Sequence, residues 1–449
     1  LREGIPHETL DQAPDAGVGV TAAPRAGGRT LAEKLLSRAA GKPVRAGDLV
    51  ICEPDAAMGT DGSIPMALDY LQQMQRDGAG LPGPHRVEGL VFAFDHYGPG
   101  SGERALALQE RARDYALLHG VRVFETGEGI GHQLMMERGL VAPGRLVVGA
   151  DSHAVCYGAL NAFGTGIGSS DLAGVLQCNQ IWLRVPAALR IVLHGRLRAS
   201  ASAKDAALAL ARRLGAEGAN YHALEFEGPG VATLDMDDRI VLANLSAEMG
   251  AKAGLFPFDA CTKAWLEHRI AEPLTPVAAD EGAMYAQTVE IDLSAIVPQL
   301  ALPHRVDQVV DLDRSPETAV GMVYLGTCTG GRSKDFREAL DVLRAGGGIA
   351  PGVQLIVTPA SEAVRSELQS EGLLAQFEAL GARIQPPGCG SCCGTCGVVP
   401  GDGVNVVSTA NRNFKGRMGN REARIYLASP RACAHAAVSG RLGGSDQLP

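Results

Sequence analysis

Val323-Tyr-Leu-Gly-Thr-Cys328-Thr-Gly-Gly-Arg332 passes from an apolar run through glycines and a cysteine, and a helical stretch opens at about Ser333. An extended segment, a glycine loop and a helix make the joint from which α/β sheets are built. Glycine lets the backbone approach a bound group closely, and the N–H groups it exposes can hydrogen-bond to that group. The same joint recurs upstream. Leu90-Val-Phe-Ala-Phe94 reads as a strand ending at Asp95-His96, and residues 103–119 have helical period. Val121-Arg-Val-Phe124 is a further strand, and Arg145-Leu-Val-Val148 runs into Gly149-Ala-Asp151-Ser-His153. In open parallel sheets ligands sit just past strand C-termini, which is where these His and Asp residues collect. The fold class so predicted is α/β.

A chain of 449 residues is too long for one ordinary core and calls for two or three domains. The 57 glycines and few aromatics fit tight strand–helix turns better than a coiled coil or a β-sandwich. The character of the sequence shifts after Pro186 and again near Pro303-His304. These seams predict an α/β domain over 29–186, a second over 187–303 and a third over 304–449. Residues 1–28, rich in Gly, Pro, Ala and acids, read as a disordered extension, and the last six residues as loose. The net charge of −9 and the lack of a basic run exclude nucleic acid or an anionic membrane as the main partner. A few local arginines can still hold a small anion. No run approaches the ~18 apolar residues that span a bilayer, no signal segment is evident, and the cytoplasm is the expected address.

The second cysteine motif is Pro387-Gly-Cys389-Gly-Ser-Cys392, with Cys393 and Cys396 close behind. A lone Cys328 and a distant C-x2-C pair give three thiolates that only a fold can bring together. Three thiolates suit an iron–sulfur cluster that keeps one iron free of protein ligands, and a free iron can act as a Lewis acid. The rival is a compact zinc site on Cys389, Cys392, Cys393 and Cys396, whose spacing is tight for tetrahedral zinc loops. Cys52, Cys156, Cys178, Cys261 and Cys433 read as small buried hydrophobes.

His96, His132 and His153 each follow a strand, with Asp95, Glu128 and Asp151 near in sequence. A carboxylate fixes an imidazole's tautomer and raises its basicity, which suits proton transfer to a leaving hydroxyl. One such histidine is more often structural; three in one region favour chemistry. In Asn411-Arg-Asn-Phe-Lys-Gly-Arg417 two guanidinium groups can clamp carboxylates, though most arginines are solvated surface residues. Gly164-Thr-Gly-Ile-Gly168 lacks dinucleotide spacing and reads as tight packing. No G-x4-G-K-[ST] occurs, so nucleotide hydrolysis has no support.

Together these segments resemble the aconitase superfamily, and within it the large-subunit dehydratases of the isopropylmalate type. The resemblance runs from about Thr30 to Arg441. It is carried by Met58-Gly-Thr-Asp-Gly62, Phe94-Asp-His96, Gly127-Glu-Gly-Ile-Gly-His132, Val148-Gly-Ala-Asp-Ser-His153 with Tyr157-Gly-Ala, and Asn244-Leu-Ser-Ala-Glu248. Downstream it is carried by the two cysteine motifs, by Ser408-Thr-Ala-Asn-Arg-Asn-Phe-Lys-Gly-Arg-Met418 and by Tyr426-Leu-Ala-Ser-Pro430. It implies three α/β domains around a central 4Fe–4S cluster on Cys328, Cys389 and Cys392. It also implies dehydration and rehydration of a hydroxy-di- or tricarboxylate, foremost 2-isopropylmalate to 3-isopropylmalate, with homoaconitate, citraconate/methylmalate and dimethylmalate as alternatives. His96 backed by Asp95 would protonate the departing hydroxyl, and His132, Asp151, His153 and Glu248 would order it. Ser152, Arg412 and Arg417 would hold carboxylates, with Thr60, Asp61, Asn244 and Asn411 among the substrate-binding residues.

The superfamily's swivelling domain carries a serine base in a Gly-Ser-Ser-Arg motif, and this sequence has none; Gly168-Ser-Ser-Asp171 lacks the arginine. The resemblance thus implies a separate small swivelling subunit, the fourth domain being absent. Three features depart from the family pattern. Gly330 stands where asparagine is usual, Thr60 stands where histidine or glutamine is usual, and Cys393 and Cys396 are extra thiols. A non-catalytic iron or redox sensor and a zinc-stabilised structural protein are the readings of other classes.

Overall fold

The computed structural model describes residues 27–78, 84–98 and 101–443. The expected extension up to residue 26 and the loose end at 444–449 lie outside the described residues. Gly27 and Gly28, assigned to that extension above, belong instead with the folded chain. Gly28 bridges to Ala283, and Arg45 donates to the carbonyls of Gly27 and Gly28 at 2.6 and 2.9 Å.

The first helix, Leu31–Ala39, opens on the capping box that Thr30 and Glu33 predict. Thr30 Oγ1 accepts from Glu33 N at 3.2 Å and Glu33 Oε2 accepts from Thr30 N at 3.0 Å. The next free donors, Leu31 N and Ala32 N, reach the buried Glu225 carboxylate of a distant strand at 3.0 and 2.8 Å. A carboxylate there satisfies orphan N–H groups and complements the helix dipole.

Five parallel strands form the first sheet, in spatial order Arg122–Phe124, Leu90–Ala93, Ala56–Thr60, Leu146–Gly149 and Phe163–Gly166. The chain builds outward from Ala56–Thr60 on one side, then returns to build the other side. The reversal leaves a crevice at the C-terminal ends of Ala56–Thr60 and Leu146–Gly149. Asp61 emerges on one side of it and Asp151 on the other. A second parallel sheet has the order Ala253–Leu255, His222–Glu227, Ala187–His194, Gln287–Asp292. One apolar cluster joins Val91 and Val147 of the first sheet to Leu189, Ile191 and Phe226 of the second, so packing is continuous across residue 187.

The third sheet has seven strands: Val309–Asp311, Gln299–Ala301, Arg424–Ala428, Asn405–Ser408, Met322–Leu325, Gln354–Val357 and Arg383–Ile384. Its first two strands are antiparallel and the other five parallel. It reverses direction between Met322–Leu325 and Asn405–Ser408, so the Cys328 loop and the Thr409–Arg412 segment leave the sheet side by side. The helix after the Cys328 loop spans Ser333–Ala345, and the helix expected over 103–119 is Glu103–His119. Among the described residues no helix is long and apolar enough to cross a membrane.

Candidate active site

Asp95 leaves the end of its strand with both carboxylate oxygens engaged. Oδ1 lies 2.6 Å from His96 Nδ1, and Oδ2 accepts from Gly131 N at 2.8 Å. A Cβ at Gly131 would sit 2.6 Å from Ala93 Cβ and 2.7 Å from Met58 Sδ, so glycine permits that approach. Asp61 is fully buried and fixes the same loop from behind, accepting from His96 N at 3.1 Å, Tyr97 N at 2.8 Å and Gln109 Nε2 at 2.8 Å. Burial pushes its carboxyl up to about 6, with Asp95 adding to the rise. Burial opposes a charge on His96, but the Asp95 anion and its hydrogen bond outweigh it and hold the imidazole well above its ordinary value. The pairing with Asp95 thus favours the protonated imidazole.

Asp151 is the point where the histidines meet. His132 Nε2 lies 2.9 Å from its Oδ1, His153 Nδ1 3.4 Å from Oδ1, and His96 Nε2 3.6 Å from Oδ2. Burial would raise this carboxyl, yet His132 and His153 hold it well below the usual range. The line continues at both ends. Tyr157 OH lies 3.0 Å from His132 Nδ1, and His153 Nε2 lies 2.9 Å from Glu248 Oε1. Arg412 Nε donates to Glu248 Oε1 and Oε2, and its Nη2 reaches Ser152 Oγ at 2.7 Å. Here too burial opposes the anion, while His153 and Arg412 keep Glu248 below its ordinary value.

The cysteines close the site from the third sheet. Cys328 Sγ accepts from Asn244 Nδ2 and Asn411 Nδ2, each at 3.2 Å. Cys392 Sγ accepts from Arg417 Nη2 at 3.4 Å, and Cys389 Sγ lies 3.8 Å from Asp95 Oδ2. Burial pushes the Cys328 thiol up to about 11, with Cys392 adding to the rise and the two amides opposing it. Buried sulfurs that face N–H donors fit electron-rich, metal-bound thiolates, since a metal removes the protons that burial retains. Among the described residues, ligand atoms of Asp95, His96 and Cys389 lie within 4.8 Å of one another, a set that could hold a metal. The compact zinc arrangement does not form: Cys393 and Cys396 face each other at 3.8 Å, whereas Cys389 faces Asp95 and Cys392 faces Arg417.

Fourteen of the sixteen site candidates thus meet around Asp151, Glu248 and the cysteine loops, and Thr60 and Asp61 stand apart. Thr60, only 4% exposed, hydrogen-bonds Ser63 in its own turn, with the two hydroxyls 3.1 Å apart. Asp61 grips backbone. Asn244 also accepts from Asn411 Nδ2, so this amide pair faces sulfur. Sequence reasoning named Tyr157 and Arg332 within motifs but gave them no role, and it missed Gln109 and Lys204. Arg332 donates to Cys328 O at 2.8 Å. Lys204 is buried beneath the cysteine loop and donates to Thr329 Oγ1, Thr409 O and Ala410 O at 3.1, 3.1 and 2.6 Å. Burial brings its ammonium down to about 8. The one signal was a lysine on the apolar side of an alanine-rich helix, Ala203–Leu214.

A cavity of about 600 Å³ is lined by Asp55, Glu88, Arg122 and Arg269 toward the opposite ends of the first sheet's strands, and it shares no residue with this site. The convergence of side chains from three sheets, not cavity size, locates the chemistry.

Residues 92–440 match the family model described as Aconitase family (aconitate hydratase). The chain is 44% identical over 426 residues to the homoaconitase large subunit of Thermus thermophilus, covering 94% of this chain and 98% of that protein. It is 41% identical over 417 residues to 3-isopropylmalate dehydratase large subunit 1 of Thermotoga maritima, covering 92% and 98%. The protein of that same description from Deinococcus radiodurans is 42% identical over 425 residues, covering 92% and 93%. With its parallel sheets, its strand-end His and Asp residues and its cysteine loops, the chain belongs to the aconitase family.

Proposed function

We propose that this chain is the large, catalytic subunit of a hydro-lyase that removes water from a small hydroxy-di- or tricarboxylate and returns it to the neighbouring carbon. The isomerisation of 2-isopropylmalate to 3-isopropylmalate is the leading reaction, and the homoaconitate reaction is the alternative. The supporting observation is the meeting of His96, His132 and His153 at Asp151, facing the Cys328 and Cys389 loops. A 4Fe–4S cluster on Cys328, Cys389 and Cys392 would keep one iron free of protein ligands and supply a Lewis acid for the substrate hydroxyl.

The side chains divide the remaining work. Asp95 binds His96 at Nδ1, which leaves Nε2 as the face that donates a proton as the hydroxyl departs as water. Asp151, His132, His153 and Glu248 form a fixed line of hydrogen-bonding groups that orients that water. Arg412, Arg417 and Ser152 take the substrate carboxylates, so a carboxylate entering beside Arg412 competes with Glu248. The proton on the adjacent carbon needs a base that no motif here supplies. A small swivelling subunit carrying a serine provides it, and the pair works in the cytoplasm. The reading includes three α/β domains with seams near 187 and 303, one for each of the three larger sheets, with Gln299–Ala301 joining the third sheet from just before the second seam.

Anaerobic reconstitution with iron and sulfide, metal and acid-labile sulfide analysis, and EPR before and after mild oxidation test the cluster. A three-iron signal that appears on oxidation and is missing in Cys328→Ala is the expected result; zinc without sulfide overturns it. Mixing the holo-protein with a small swivelling subunit and offering 2-isopropylmalate or homocitrate then tests the reaction. Turnover of neither acid by a cluster-loaded pair would sink the proposal.

A further inference from the structure

We propose that Cys393 and Cys396 form a redox-active dithiol, a site of reversible modification by low-molecular-weight disulfides that lies beside the cluster cysteines without belonging to them. Their sulfurs are 3.8 Å apart and both residues are half-buried. The C-x-x-C spacing places both on one tight turn, a spacing that supports disulfide closure in redox proteins. Neither thiol points at the groups that face Cys389 and Cys392. Cys393 Sγ lies 3.7 Å from His96 O, and Cys396 Sγ lies 3.2 Å from Gly390 O.

Reagent access is built in. Cys396 lines a cavity of about 240 Å³ together with Tyr97, Thr126, Gln385 and Gly397. That cavity is also lined by Asp95 and Tyr97, so a small disulfide that reaches Cys396 lies against the residues flanking His96. Thr395 between the two cysteines donates from Oγ1 to His96 O at 2.6 Å, which ties the turn to the backbone of the proton donor.

The exchange balances as follows. The sulfur of Cys396 attacks one sulfur of the incoming disulfide, whose S–S bond breaks; one small thiol leaves with the bonding pair and takes up the Cys396 proton. Cys393 then attacks the Cys396 sulfur of the mixed disulfide, and the second small thiol departs with the Cys393 proton. Two protein thiols lose two electrons and two protons, and the small disulfide is reduced to two thiols. Bringing the sulfurs from 3.8 Å to a bond of about 2.05 Å requires the turn to shift, and its sulfurs lie against His96 O and Gly390 O. Oxidation thereby acts on the loop that carries His96.

The test uses the full chain with its cluster assembled anaerobically, equilibrated in glutathione/glutathione disulfide mixtures of graded ratio. Free thiols are then alkylated and mapped by tandem mass spectrometry, while visible absorbance follows the cluster. The expected result is a Cys393–Cys396 disulfide that forms while the absorbance persists, is reversed by dithiothreitol, and does not form in Cys396→Ser. With a small subunit present, turnover should fall at least tenfold on oxidation in the wild type and stay constant in Cys396→Ser. Free, alkylatable Cys393 and Cys396 at every ratio would overturn the inference, as would a disulfide mapping to Cys389 or Cys392. Both readouts on the wild type stand whether or not the variant folds. Because the thiol map needs no substrate, its failure is distinguishable from failure of the proposed reaction.

Discussion

Arg412 Nε donates to both carboxylate oxygens of Glu248, at 2.8 and 3.0 Å, so the arginine expected to hold substrate is held by protein. The same Glu248 accepts from His153, which joins Arg412 to the histidine line. Arg412→Lys keeps the charge but loses the planar fork. A charged hydrogen bond contributes about 1.5–3 kcal/mol. Steady-state kinetics on the reconstituted pair should show KM raised roughly ten- to hundredfold with a smaller change in kcat. Equal losses in kcat and kcat/KM would place Arg412 in the reaction step instead.

Asp95 raises the His96 imidazole against the effect of burial. Asp95→Asn keeps the shape of the side chain and removes the anion. The imidazole pKa then falls, fewer molecules carry the proton to be donated, and the alkaline limb of kcat/KM moves to lower pH. His96→Asn removes the acid and should lower kcat about 10²- to 10⁴-fold. Both pH–rate profiles are to be measured on protein with equal cluster content, and an unmoved limb in Asp95→Asn would remove Asp95 from this role.

What could be read in the sequence was local. Leu90-Val-Phe-Ala-Phe-Asp-His96 announces a strand with Asp95 and His96 at its end within seven residues, and the fold has the strand at Leu90–Ala93 with both residues just past it. The resemblance through Met58-Gly-Thr-Asp-Gly62 implies that Asp61 is a substrate contact. Its partners, His96 N and Tyr97 N, lie 35 and 36 residues away, and only the packing of two neighbouring strands reveals them. Lys204 is the stronger case. Its acceptors are 125 to 206 residues downstream and two of them are backbone carbonyls, which carry no side-chain signature at all. Side-chain periodicity can place a helix, but it cannot say which distant carbonyl needs a buried ammonium.

Asn411 Nδ2 and Asn244 Nδ2 both donate to Cys328 Sγ. A donor to a metal-bound thiolate stabilises charge on sulfur, and outer groups of this kind typically contribute 10- to 100-fold to metal affinity. Asn411→Ala should speed cluster loss under a chelator by about that factor, read from the decay of visible absorbance. An unchanged decay would mean that the amides serve packing only.

Glu225 links the first helix to the second sheet, and burial pushes its carboxyl up to about 7 from 4.5, while the Ala32 and Leu31 N–H groups and Tyr285 oppose the rise. Below pH 4.5 folded and unfolded chains both hold this proton. Between 4.5 and 7 the unfolded chain releases it first, so this residue's contribution to stability falls as pH rises and levels off above 7. The whole effect is at most about 3 kcal/mol. Glu225→Gln cannot titrate and should flatten the Tm-versus-pH curve across that window. Parallel curves for the two proteins would show that Glu225 is not the group responsible.

Gly330 departs from the asparagine expected of the family, and in this chain it packs directly against Thr409. A Cβ at residue 330 would lie 2.3 Å from Thr409 Cβ and 2.5 Å from its Oγ1. Thr409 cannot move aside, because Oγ1 accepts from Gly326 N at 3.0 Å and donates to Gly326 O at 2.9 Å. Its carbonyl also accepts from Lys204, Thr327 and Thr329. The two residues thus form a matched pair across the third sheet's reversal point, with the threonine filling the space a larger residue 330 would take. Gly330→Ala alone should cost about 1–3 kcal/mol by overpacking, seen as a lower Tm and weaker cluster retention. Adding Thr409→Gly relieves the clash but removes the Gly326 bonds, so the pair should recover part of the loss. Simple additivity of the two losses would show that the residues do not couple.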